Sequence, residues 1–175
     1  VKGAGLGLTF AVEMVRRTGV PVGLLPCAHG GTSMDQWSPE LRDQGGASLY
    51  GGMIRRIRAA GGAVTGVLWY QGESDANPKA APEYKTKVEN LIGAVRRDTG
   101  VADLPFYFVQ IGRFVNHTNL AEWNHVQEMQ RQIEASTRRT GMVAAVDLSL
   151  DDAIHVGTDD LKRLGRRMAN LALRD

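Results

Sequence analysis

Short apolar runs alternate with helical patterns along this chain of 175 residues. Four runs are typical of β-strands, because each is apolar and is bounded by Gly, Pro, Asn or Asp: residues 20–26, 63–70, 106–111 and 142–148. Segments long enough for a helix separate the runs, as in parallel βαβ units. The pattern therefore predicts a single α/β domain over residues 1–175, with helices packed on a parallel sheet.

The helical segments carry apolar side chains at intervals of three and four residues, the spacing of one helix face. Pro82 suits the first turn of such a helix. Its predicted buried stripe consists of Tyr84, Val88, Leu91, Ile92 and Val95. Two later helices are predicted to begin at the N-cap residues Asn119 and Thr158. We expect all these stripes to face the sheet.

The beginning of the chain departs from this alternation. A helical segment over residues 7–18 precedes the first apolar run, and the chain opens with Val1 instead of a methionine. In a doubly wound sheet a strand normally precedes such a helix and lies in the interior of the sheet. We therefore expect a first strand upstream of Val1, and we interpret the chain as a fragment.

Composition and charge narrow the class of protein. The content of 43% hydrophobic and 23% charged residues fits one globular domain with a substantial core. The formal charge is only +2 and the arginines are dispersed, so we expect no nucleic-acid partner. The sequence shows neither a bilayer-spanning run nor a signal peptide. We expect a soluble protein without a membrane partner, whose oligomeric state and compartment stay open, secretion or periplasm included.

Polar residues cluster directly after three of the four predicted strands. The clusters lie at residues 27–37, 71–75 and 147–155. In open parallel sheets the ligand binds outside the carboxyl ends of the strands. We therefore expect these three loops to face one crevice, which is the candidate site of this chain.

The last cluster contains Asp152 and His155, three residues apart just before a predicted helix. In nucleophilic hydrolases an imidazole accepts the proton of a serine, and a carboxylate fixes the ring and stabilises the imidazolium. The simpler alternative is that Asp152 caps a turn and His155 is a polar surface residue. The other two clusters favour chemistry, because both offer hydrogen-bond donors.

Those donors are backbone N–H groups and one side-chain amide. The glycines at positions 30 and 31 allow close approach of a ligand to the backbone, and Gln71 carries an amide. Preorganised donors of this kind stabilise an oxyanion in acyl transfer. The alternative is that Gly30 and Gly31 only permit a tight turn and that Gln71 solvates a strand end.

Three segments together carry a family resemblance: CAHGGTSMDQW at 27–37, GVLWYQGESD at 66–75 and DAIH at 152–155. They resemble the later conserved blocks of SGNH hydrolases. Within that superfamily they are most similar to the sialate O-acetylesterase-like group, which includes the acetylxylan esterases of carbohydrate esterase family six. The resemblance extends from about residue 5 to the last helix.

The resemblance implies a flavodoxin-like, three-layer α/β/α fold and hydrolysis of acetyl esters on sugars such as sialic acid or xylan, without metal or organic cofactor. By motif position it implies that His155 is the general base and Asp152 its orienting acid. The oxyanion hole would consist of the Gly31 N–H and the Gln71 amide. We expect three neighbours to shape the site without transferring protons: Gly30, Ser33 and Glu73.

The chain also departs from the family pattern, because the Gly-x-Ser-Asn-type block that carries the nucleophilic serine is absent from these residues. That block follows the first strand in the family, so we expect it upstream of Val1 and expect the fragment to be inactive. Ser33 as nucleophile is an alternative, although its block matches the oxyanion loop. A non-catalytic carbohydrate-binding or scaffold protein is the rival function, and a flavodoxin-like nucleotide binder ranks last.

Overall fold

The computed structural model describes residues 5–115 and 119–174. Within these residues three parallel strands form one sheet in the order β1 (Val67–Tyr70), β2 (Phe106–Gln110) and β3 (Thr140–Ala144). Because all three strands run in the same direction, their carboxyl ends lie at one edge of the sheet, which we call the carboxyl edge. The predicted α/β fold with a parallel sheet is confirmed.

Five α-helices surround the sheet in the described part of the chain. They are α1 (Gly7–Thr18), α2 (Leu49–Ala59), α3 (Tyr84–Thr99), α4 (Leu120–Ser136) and α5 (Thr158–Ala172). A further short 3-10 turn, Glu73–Asp75, follows β1. None of the helices in the described ranges has the length and apolarity needed to cross a membrane.

Alternate residues of β2 face two separate apolar clusters. Phe106 and Phe108 pack in a cluster with side chains of α2, α3 and α4. Tyr107 and Val109 pack in a second cluster with side chains of α1 and α5. A strand points successive side chains to opposite faces of its sheet, so the helices cover both faces. The result is the three-layer α/β/α architecture that the resemblance implies.

The predicted strand at residues 20–26 is wrong, because that segment has no regular secondary structure. Its apolar side chains Val20, Leu24 and Leu25 are exposed. A strand requires backbone hydrogen bonds to a neighbour, and among the described residues β1 pairs with β2 alone. The apolar composition of residues 20–26 was therefore insufficient to form a strand without a pairing partner.

The helix predictions are mostly confirmed. The stripe of α3 is buried as expected. Asn119 lies at the N-cap position of α4 but its side chain makes no capping hydrogen bond. Gly157, rather than Thr158, occupies the N-cap of α5. The helix over Leu49–Ala59 was not predicted, and β3 begins at Thr140, two residues before the predicted start.

Candidate active site

The loops that follow β2 and β3 contact each other at the carboxyl edge. The guanidinium of Arg113 donates a hydrogen bond to the carbonyl oxygen of Leu148 at 2.8 Å. The N–H of Val115 donates to the carbonyl oxygen of Ala153 at 2.9 Å. The loop after β2 thus supports the loop after β3, which contains Asp152 and His155.

The loop after β3 is closed on itself by backbone pairing. Leu150 and Val156 form an antiparallel bridge. The N–H of Asp151 donates to the carbonyl oxygen of His155 at 2.9 Å. Asp152 lies at the tip of this hairpin-like loop, so the pairing brings its carboxylate back toward His155.

The Asp152–His155 dyad is formed by contacts within four residues. Asp152 Oδ2 lies 2.7 Å from His155 Nδ1. Asp152 Oδ1 accepts the N–H groups of His155 at 2.7 Å and Ile154 at 2.8 Å. These three donors lower the pKa of Asp152 from its ordinary 3.8 to about 2. An ionised carboxylate only accepts, so Nδ1 carries the proton and Nε2 of the neutral ring keeps its lone pair.

The dyad faces outward, since the His155 side chain is 78% exposed. The base of its loop is held by the first turn of α5. Asp160 Oδ2 accepts both the N–H and the hydroxyl of Ser149 at 2.6 Å, and its other oxygen pairs with Arg163 at 2.9 Å. These contacts, led by those from Ser149, hold the pKa of Asp160 well below its ordinary value. The exposed dyad therefore lies in a loop whose ends are attached to α5 by hydrogen bonds.

The glycine pair of the 27–37 loop lies in a tight, exposed turn. Gly31 has a φ of +70°, in the left-handed region that favours glycine. The hydroxyl of the buried Thr32 donates to the carbonyl oxygen of His29 at 2.8 Å and accepts Trp37 Nε1–H at 2.9 Å. In the described part of the chain the Gly31 N–H has no hydrogen-bond partner. Like Gly30, it is exposed, so this donor is open to a ligand.

Ser33 and Glu73 lie in the 27–37 loop and the 71–75 loop, and their role in shaping the site stays a prediction. The N–H of Ser33 donates to Gln36 Oε1 at 3.0 Å. Burial raises the pKa of Glu73, and this increase is partly offset by nearby backbone N–H groups. The 71–75 loop follows β1, and the loop that contains the dyad follows β3 at the same carboxyl edge of the sheet.

Both the side-chain amide and the backbone carbonyl of Gln71 are held by hydrogen bonds. Its side chain is buried, and Nε2 donates to the carbonyl oxygen of Thr32 at 3.1 Å and to the carboxylate of Asp75. Its backbone carbonyl accepts Tyr84 Oη–H at 2.9 Å and Gln130 Nε2–H at 3.1 Å. In the described structure both amide hydrogens are thus engaged, while the buried Oε1 has no partner.

Gly72 and Gln130 hold the end of β1 close to α4. Gly72 has a φ of +153°, and a Cβ there would lie 2.9 Å from Ile111 Cγ2 and 3.1 Å from Gln130 Nε2. Gln130 is 1% exposed, and its Oε1 accepts the Ile111 N–H at 3.0 Å. The sequence interpretation missed Gln130 and Asp75. A glutamine beside the apolar stripe of α4 was the available signal for the first.

The structure thus places the predicted site residues in three loops, two of which contact each other directly. The 27–37 and 71–75 loops are joined by the Gln71–Thr32 bond and by a hydrogen bond from the Met34 N–H to Asp75. The loop that contains the dyad leaves the same carboxyl edge of the sheet and is hydrogen-bonded to the loop after β2. The arrangement offers a base with a defined tautomer and donors that suit an oxyanion.

Comparison with known proteins identifies the family of this chain. A protein of Arabidopsis thaliana named "Probable carbohydrate esterase" is 32% identical to this chain. The alignment is 181 residues long, gaps included, and covers 99% of this chain. The chain spans only 65% of the length of that relative. A solved structure of the Arabidopsis protein superposes with a TM-score of 0.85 at 32% identity, covering 100% of this chain and 70% of the other.

A second solved structure is described as a novel carbohydrate acetylesterase from Xanthomonas citri. It matches with a TM-score of 0.81 at 28% identity, over 94% of this chain and 39% of the bacterial chain. The sequence profile of the family "Carbohydrate esterase, sialic acid-specific acetylesterase" matches residues 1–174. The chain therefore belongs to this carbohydrate esterase family.

Proposed function

We propose that this chain forms the greater part of a serine esterase that removes acetyl groups from carbohydrate, with sialic acid and xylan as candidate substrates. The observation that carries the proposal is the 2.7 Å contact between Asp152 and His155, which leaves Nε2 of the exposed ring as a base. Membership of the carbohydrate esterase family supports the substrate class.

The reaction follows from the chemistry of that base. A serine hydroxyl attacks the acetyl carbonyl carbon while His155 Nε2 accepts its proton, and Asp152 stabilises the resulting imidazolium. The bond between carbonyl carbon and sugar oxygen then breaks, and the imidazolium protonates the departing oxygen. Water attacks the acetyl-serine, gives a proton to His155, and releases acetate as the serine regains its proton.

The oxyanion formed in each step would be stabilised by Gly31 and Gln71. The Gly31 N–H has no partner among residues 5–115 and 119–174, so it can donate without rearrangement. Gln71 Nε2 already donates to the Thr32 carbonyl at 3.1 Å, so the oxyanion must compete for that hydrogen. Hydrogen bonds to charged acceptors are roughly twice as strong as those to neutral ones, so the competition favours the oxyanion.

We further propose that the serine comes from a preceding segment, which adds a strand to the free edge of β1. In the described residues β1 pairs with β2 alone, and its other edge offers backbone groups for pairing. A strand at this edge would end beside Gln71 and could present a serine at the carboxyl edge. We call these 175 residues with that segment the extended protein.

The test is hydrolysis of 4-nitrophenyl acetate and of acetylated sugars by the 175-residue chain, the extended protein and its His155→Ala variant. We expect turnover by the extended protein only. Turnover by the 175-residue chain that disappears in its Ser33→Ala variant would contradict the preceding-serine proposal. Reading the codons before Val1 provides an independent check, because a start codon there would remove the proposed segment.

A non-catalytic carbohydrate-binding protein is the second candidate. The observation that favours it is the engagement of both Gln71 amide hydrogens by protein groups. Calorimetry with acetylated and deacetylated sugars separates the two functions. Binding of sugar by an extended protein that releases no acetate would support the second candidate over the esterase.

A further inference from the structure

Asp75 is a buried carboxylate in the 71–75 loop to which neither motif nor charge pattern assigned a role. It is 1% exposed. Its Oδ2 and Oδ1 lie 3.0 and 3.2 Å from the Met34 nitrogen, and Oδ2 also accepts Gln71 Nε2–H. The carboxylate therefore contacts both loops that hold the proposed oxyanion donors.

The contacts of Asp75 determine how the Gln71 amide is oriented. Two acceptors, the Asp75 carboxylate and the Thr32 carbonyl, face the same end of that amide. An amide nitrogen satisfies both acceptors, whereas an amide oxygen would repel both. Asp75 and Thr32 together therefore keep Nε2 turned toward the Gly31 turn.

We propose that Asp75 is a positioning residue for the acetyl-ester hydrolysis, acting through Gln71 and the Met34 backbone. The inference rests on the proposed function. When the oxyanion attracts the hydrogen that faces Thr32, the bond to Asp75 keeps the amide in place. The Met34 bond also holds the Gly31 turn at a fixed separation from Gln71. A misplacement of about 1 Å can cost a hundredfold in rate, so this restraint has a measurable consequence.

The first test is Asp75→Asn in the extended protein. The asparagine has the shape of aspartate, but only one of its two polar atoms accepts hydrogen bonds. With its oxygen in the Oδ2 position it keeps the bonds from Gln71 and Met34, but its NH2 group then takes the Oδ1 position, 3.2 Å from the Met34 nitrogen. The opposite orientation turns the NH2 group toward Gln71 Nε2, so either orientation leaves one repulsive contact. We expect kcat to fall about tenfold to a hundredfold, with KM changed less than about threefold.

The matched control is Asp98→Asn, since Asp98 is also an inward carboxylate, bonded to Tyr50 at 2.6 Å and Arg42 at 2.7 Å in a different cluster. Its loss should lower the unfolding temperature with kcat changed less than about threefold. Equal effects of both substitutions on kcat would overturn the positioning role. Loss of the esterase proposal itself would instead appear as unchanged activity in His155→Ala.

A double-mutant cycle isolates the route of action. In a Gln71→Ala background, Asp75→Asn should lower kcat by a clearly smaller factor than in the wild type, because only its bond to the Met34 backbone is then left to act on the site. A full effect in that background would contradict action through Gln71. If Asp75→Asn does not fold, side-chain ¹⁵N–¹H spectra of the wild type decide the question. A phosphonate adduct should shift the Gln71 hydrogen that faces Thr32 and leave the one that faces Asp75, and shifts of both or neither would overturn the proposal.

Discussion

The dyad and the cluster around Gln71 are built in opposite ways. Asp152 and His155 are joined within four residues and are exposed. Gln71, in contrast, contacts Thr32 across 39 positions and Gln130 across 59 positions of the chain, and all three are buried. The proposed base is therefore oriented by a local loop, whereas the proposed donor Gln71 depends on tertiary packing. Substitutions in the two regions should differ in their effects on chemistry and stability.

The largest expected effect is a fall in kcat without a loss of stability. His155→Ala in the extended protein should lower kcat at least about 10³-fold, because it removes the base. The free energy of unfolding should change by less than about 0.5 kcal/mol, since the ring is mostly exposed. Steady-state kinetics and urea unfolding measure the two quantities. If His155→Ala destabilised the protein as much as a substitution in the buried cluster around Gln71, the distinction between the two regions would be wrong.

The next effect concerns stability in the buried cluster. Gly72→Ala should lower the free energy of unfolding by about 2–4 kcal/mol, because the new Cβ meets Ile111 and the backbone has a φ of +153°. Gly66→Ala is the matched control, since its Cβ would make an ordinary 3.5 Å contact with the Pro105 carbonyl oxygen. Urea unfolding of both variants decides the matter, and equal losses would contradict the crowding at Gly72.

The smallest expected effect concerns the titration of Asp152. With a pKa near 2, Asp152 stays ionised above about pH 4, so its titration should add no step to kcat/KM there. Its folded pKa is depressed, so the associated stability is present above pH 3.8 and is lost as the pH falls toward 2. The ¹³C carboxyl shift of Asp152 should titrate with a midpoint near 2. A midpoint near 3.8 would show that the local N–H donors do not act on it.

The same contrast explains what could be predicted from the sequence. The parallel sheet, the stripe of α3 and the positions of the three polar loops follow from local patterns and from the general topology of such folds. The pairing of Asp152 with His155 was implied by the family resemblance, because their spacing alone fits a turn cap equally well. Each of these features is determined by residues that are near in sequence or by a rule that holds for the whole architecture.

Other features required the structure because they depend on distant partners. Residues 20–26 have the composition of a strand, but no described strand pairs with them. The sequence predicts Gln71 as an oxyanion donor but does not reveal that Thr32 and Asp75 accept both of its amide hydrogens. Gln130 belongs to a helix whose apolar stripe obscured its contacts with the end of β1. No local pattern encodes such long-range hydrogen bonds.

The self-contained form of the dyad has an evolutionary consequence. The donors that lower the pKa of Asp152 all belong to residues 154 and 155, so the charge and tautomer of the base are set inside one loop. If the proposed function is right, changes in the surrounding loops could alter which substrate fits without disturbing the contacts that orient His155.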